Sequence, residues 1–103
     1  MRVIVLNWTD SAKNLVRGIV LRLLDRNPEM ATLREVRRLL NATPDELEQL
    51  FTEMVDSEAF DGIVANIGAA FLGKMQAGGR ELQGILSTAQ EQTAPLDDVV
   101  RIT

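Results

Sequence analysis

Six carboxylates crowd into residues 45–58: Asp45, Glu46, Glu48, Glu53, Asp56 and Glu58. Two kinds of chemistry are open to such a group. Paired carboxylates can do general acid–base work when a pocket raises the pKa of one partner. An acidic surface can instead steer and hold a basic, flexible protein segment through rim contacts. The pairs Glu46 with Glu53 and Asp56 with Asp61 fall on polar helix faces in the reading below, which favours the second use. A plain solvated face is the ordinary fate of a charge run and stands beside both.

Other reactive types are scarce. The chain has no cysteine and no histidine. Disulfides, thiolate nucleophiles and His-based triads are therefore excluded, and the acids lack the nitrogen or sulfur partners of a zinc site. Asp97-Asp98 alone makes no calcium loop. Gly73-Lys74-Met75 has neither the following Ser/Thr nor the glycine offset of a phosphate-binding loop. The expectation is a domain with no catalytic residues, no cofactor and no metal of its own.

Nucleic acid is the remaining class. Lys13, Arg17, Arg22, Arg34, Arg37 and Arg38 form a basic set in the N-terminal part, with Arg17, Arg34, Arg37 and Arg38 the candidates for phosphate contact. Aromatic residues are few, and Phe51, Phe60 and Phe71 recur at core spacing, so base stacking has little to work with. The charge is divided along the chain. Residues 1–40 carry eight cations against four anions, a net of +4, and residues 41–103 carry three against eleven, a net of −8. Such asymmetry can orient a partner.

These groups need elements to hold them. A chain of 103 residues, 46% hydrophobic and 25% charged, suits one globular domain. Residues 9–11 cap a first helix in which Ala12, Leu15, Val16, Ile19, Val20, Leu23 and Leu24 share a face, ending at Asn27-Pro28. Thr32 and Glu35 have capping-box spacing and open a second helix with Leu33, Val36, Leu39 and Leu40 on its apolar side. Thr43-Pro44-Asp45-Glu46 opens a third with Leu47, Leu50, Phe51, Met54 and Val55. A fourth begins near Asp56-Ser57 and carries Phe60, Ile63, Val64, Ile67, Ala70, Phe71 and Met75, with close helix approach expected at Gly68, Ala69 and Ala70. Gly78-Gly79 breaks the chain, and a fifth helix runs from Arg80 to about Gln92 with Leu82, Ile85, Leu86 and Ala89. The reading is an all-α bundle of about five helices over residues 8–96, with extended ends at 1–7 and 97–103.

The longest apolar runs, residues 3–6 and 67–72, fall far short of the ~18–20 residues of a membrane span. The start is too short for a secretory leader and has no small-residue cleavage site. A cytoplasmic or cytoplasm-facing location is expected.

Two ordered stretches resemble one family. Trp8-Thr9-Asp10-Ser11-Ala12-Lys13-Asn14-Leu15-Val16-Arg17-Gly18-Ile19-Val20-Leu21 is similar to the first helix of the all-α domain in type IV secretion coupling proteins. Glu81-Leu82-Gln83-Gly84-Ile85-Leu86-Ser87-Thr88-Ala89-Gln90, then Pro95-Leu96-Asp97-Asp98, is similar to the end of that domain. Ala94-Pro95 stands where the family commonly has an aromatic, and the family's Walker motifs are absent. The resemblance implies a domain-sized piece of a membrane-anchored, FtsK-like hexameric ATPase. It implies a place at the cytoplasmic face of the bacterial inner membrane. The implied role is selection of cargo, an effector protein or a relaxase, by its secretion signal. Contact with DNA in conjugative transfer, or a structural cap regulating the ATPase core, are the alternatives. The two extended ends would return to that core.

Overall fold

The computed structural model describes residues 9–96, and the extended ends expected at 1–7 and 97–103 lie outside them. Five α-helices account for most of that span: α1 Asp10–Arg26, α2 Leu33–Leu40, α3 Pro44–Val55, α4 Ile63–Gln76 and α5 Arg80–Thr93. No strand occurs among the described residues. The all-α expectation is what the structure shows.

Threonine begins three of the helices for the same reason. Thr9, Thr32 and Thr43 hold extended backbone, and each hydroxyl accepts from the amide three residues on: Ala12 at 3.1 Å, Glu35 at 3.1 Å and Glu46 at 3.2 Å. Each bond satisfies one of the four orphan donors of a helix start. The reciprocal half of the capping box at Thr32 does not form. Its amide donates to Met30 O at 2.8 Å, and the Glu35 carboxylate turns to Arg38. α4 ends in a Schellman motif, with Gly79 N–H donating to Lys74 O and Gly78 N–H to Met75 O, both at 3.2 Å. Both glycines have positive φ, 108° and 80°, the conformation this turn demands.

The core gathers Leu15, Ile19, Leu40, Phe51, Met54 and Val64, all fully buried. Phe51 and Phe71 meet with ring centroids 5.9 Å apart. α3 and α4 form the closest helix pair, and α1 packs across α4 and α5. Two glycines set these approaches. A Cβ on Gly68 would lie 2.6 Å from Met54 Cβ and 3.0 Å from both Phe51 O and Val55 N. A Cβ on Gly18 would lie 2.5 Å from Ile67 Cγ2 and 3.0 Å from Met54 Cε. Met54 is therefore held between both crossings. Of the three small residues expected to admit a helix, Gly68 does so, whereas Ala69 and Ala70 face outward.

Besides Ala70, three expected core positions are corrected. Leu24 is 45% exposed in the last turn of α1, beside the buried Leu23. Val55 is 37% exposed at the last turn of α3. Phe60 is 44% exposed and precedes α4. Residues 60–62 instead form one left-handed turn, with φ of 54°, 57° and 86°. For the two L-residues this conformation costs about 1–2 kcal/mol each. Periodicity could not report it, since Phe60 falls in register with Ile63, Val64 and Ile67.

The glycine crossings give a stability contrast measurable by urea unfolding. Gly68→Ala meets backbone atoms that cannot move aside, and is expected to destabilise by about 1–3 kcal/mol. Gly84→Ala, in the middle of α5 with open space around the added methyl, is expected to stabilise by about 0.5–1 kcal/mol. Equal effects at the two positions would contradict the packing described.

Candidate functional site: the acidic helix α3

α3 begins at Thr43-Pro44 because proline fits the first helical position and the threonine caps it. Asp45 and Glu46 follow in the first turn, where the helix dipole favours anions. From there the helical repeat separates the acids into two sets. Glu46 and Glu53 are seven residues apart and fall on one side with Gln49. Asp45, Glu48 and Asp56 fall on the other, at offsets of three and eleven.

The first set is engaged. Arg22 Nη2 donates to Glu53 Oε1 at 2.6 Å, and Gln49 Nε2 to the other carboxylate oxygen at 3.3 Å. Arg22, one of the basic set of the N-terminal part, has a side chain only 12% exposed, because it lies between α1 and α3 on the way to Glu53. Arg38 bridges two helices. Its Nε and Nη2 hold both oxygens of Glu35 at 2.9 and 2.7 Å, and its Nη1 reaches Glu46 Oε2 at 2.9 Å. These residues line a polar cleft of about 270 Å³ over Leu23, Leu39 and Leu50. The paired guanidinium of Arg38 lowers the Glu35 pKa, chiefly by hydrogen bonding, with burial opposing it. The two carboxylates raise the Arg38 pKa in turn. A charge pair of this bidentate kind fixes geometry as well as energy.

The second set is open. Asp45, Glu48 and Asp56 are exposed, as is Glu58 in the following connection, and none has an ion-pair or hydrogen-bonded partner to its carboxylate among the described residues. No lysine or arginine occurs from residue 39 to residue 73, while seven carboxylates do. The six expected contact acids are thus brought onto α3 and its exit, but they divide into two that tie helices together and four that face solvent.

The candidate phosphate contacts divide as well. Arg37 Nη1 donates to Gln90 O at 2.8 Å and to Thr93 Oγ1 at 2.9 Å. Gln90 Nε2 returns a bond to Leu40 O at 2.7 Å, and the buried Thr93 hydroxyl donates to Ala89 O at 2.7 Å. This lock fastens the end of α2 to the end of α5. Arg38 is held as described above. Only Arg17 and Arg34 of the four are exposed without a partner among the described residues. Gln90 and Thr93 gave no sequence signal, since their role depends on a contact some fifty positions away.

Among the described residues, no three His, Cys, Asp or Glu side chains gather as metal ligands do, and no helix is long and apolar enough to cross a membrane. Comparison with protein-family models, with curated proteins and with solved structures finds no match.

The Glu35–Arg38 pair has a pH signature. A carboxyl whose folded pKa lies below its unfolded value stabilises the fold above that unfolded value and loses the contribution as pH falls through the folded one. The Glu35 carboxyl, followed by carbon-detected NMR, is expected to titrate below its ordinary value of about 4.5, and to move up toward it in Arg38→Gln. A titration unchanged by Arg38→Gln would mean that the pair does not persist in solution.

Proposed function

We propose that this chain is a substrate-recognition domain that captures a basic, flexible segment of a protein cargo on the outer side of α3. The observation that carries the reading is the set of four exposed carboxylates, Asp45, Glu48, Asp56 and Glu58, which have no partner among the described residues and lie in a stretch with no cation of its own. Like charges held on a rigid helix raise the local concentration of a cationic segment and orient it, while contributing modestly to affinity. The contacts are surface contacts and involve no bond making.

The two stretches of resemblance support a more particular version. In it the domain belongs to a type IV secretion coupling protein, works at the cytoplasmic face of the inner membrane, and receives the secretion signal of an effector or relaxase. The helical architecture agrees with that version without singling it out, because many all-α domains share it. Contact with DNA is the weaker alternative. Arg37 and Arg38 already serve helix–helix contacts, which leaves Arg17 and Arg34 as the open half of the expected set.

The test is an NMR titration of the labelled chain with a cargo C-terminal peptide rich in arginine or lysine. Amide shifts are expected at residues 45–58, fading as ionic strength rises from about 0.02 to 0.3 M, where the screening length shortens severalfold. Absence of shifts there at low salt would sink the reading.

A further inference from the structure

Beside the open acids lies a groove of different character. It has a volume of about 280 Å³ and runs between the start of α3 and the α4–α5 turn. Leu47, Leu82 and Leu86 form its buried floor, and Pro44, Met75 and Gln83 form its sides. Pro44 and Gln83 are exposed, so the groove opens to solvent past them. Gly79, whose added Cβ would meet nothing within 4 Å, keeps its end wide.

The charges on its two flanks differ. Glu48 stands one helical turn beyond Pro44 on the same side of α3, exposed and without a partner among the described residues, with Asp45 adjacent to Pro44. On the other flank Lys74 is neutralised by Glu81 at 3.1 Å, while Arg80 lies three residues before Gln83 and has no partner among the described residues. An occupant therefore meets carboxylates along α3 and a guanidinium at the start of α5. A cation beside its apolar group is attracted on the α3 side and repelled on the other.

We propose that this groove seats one large aliphatic side chain of the same basic cargo segment, with the neighbouring cation of that segment held by Glu48 and Asp45. The inference rests on the reading of α3 as a cargo-binding helix and adds to it an apolar anchor. Charge alone gives salt-sensitive, weakly selective attraction. An aliphatic group seated on three buried leucines adds a salt-insensitive part and selects a residue type.

The probe is a synthetic nine-residue peptide with one leucine and two following arginines in a serine–glycine background. Two analogues carry serine for the leucine or glutamine for the arginines. The full chain is titrated with each by NMR. The leucine peptide is expected to shift the amides of Met75, Gly79, Leu82 and Gln83, and the serine analogue to bind at least tenfold more weakly. Gln83→Trp, which fills the groove from its exposed side, is expected to lose binding to the same extent while keeping the wild-type circular dichroism spectrum. Equal binding of the leucine and serine peptides, with shifts confined to residues 45–58, overturns the groove and leaves the acidic face standing. Binding of the glutamine analogue as tight as the parent overturns the role of Glu48 and Asp45 in both readings. No binding by any peptide overturns both. Concentration-dependent shifts at Met75 and Gln83 without peptide, with no further change on adding it, identify a second copy of the chain as the occupant and also overturn the proposal.

Discussion

The bundle depends on one close approach: the α3 backbone passing over Gly68 of α4. No side chain separates the two helices there, because Phe51 O and Val55 N would stand 3.0 Å from any added Cβ. Met54 fills the space beside this crossing and reaches Gly18 on α1, so three helices are fixed relative to one another through a single buried side chain. A core of this density holds its partners in one arrangement, since a shift of one methylene is felt throughout. The consequence for function is the pose of α3. With Leu47, Phe51 and Met54 committed inward, the helical repeat decides which acids face α1 and α2 and which face away.

That division is the main result of the geometry. The arginines Arg22 and Arg38 complete the inward half, binding Glu53 and Glu46 across helix boundaries, while Arg38 also holds Glu35 of its own helix. Exposed pairs of this kind are individually worth little, but a guanidinium shared between two carboxylates on different helices also aligns those helices. The outward half has no such duty. The same principle sorts the basic residues, where Arg37 closes the α2–α5 lock and Arg17 and Arg34 stay on the surface. A charge pattern that looks uniform in one dimension thus separates into structural and available groups once the helices are packed.

Much of this was legible beforehand. The Thr-led starts at 9, 32 and 43, the apolar repeat of α1 and the Gly78-Gly79 break follow from local chemistry, and four of the five helices begin where those signals place them; α4 begins at Ile63 rather than near Asp56-Ser57. The misreadings have a common cause. Leu24, Val55 and Phe60 keep helical register but sit at helix ends, where register no longer implies a neighbour. The left-handed turn at residues 60–62 was hidden because Phe60 is a residue that rarely takes positive φ and keeps helical register, although Asp61 and Gly62 beside it tolerate that conformation. At the site, the clustering of acids was plain, but their division was not, because it is set by Arg22 and Arg38 from other helices. The apolar groove was invisible for the same reason: Pro44, Met75 and Gln83 come together only when α3 meets the α4–α5 turn.

The claim that the outward acids receive a partner while the inward ones hold the bundle is tested most directly by one comparison of affinities. An arginine-rich cargo peptide is titrated into Asp45→Asn/Glu48→Gln and into Glu46→Gln/Glu53→Gln, at low salt and under conditions where both remain folded. The account predicts at least a fivefold loss of affinity in the first variant and near wild-type affinity in the second. Equal losses in the two, or a larger loss in the second, would contradict it.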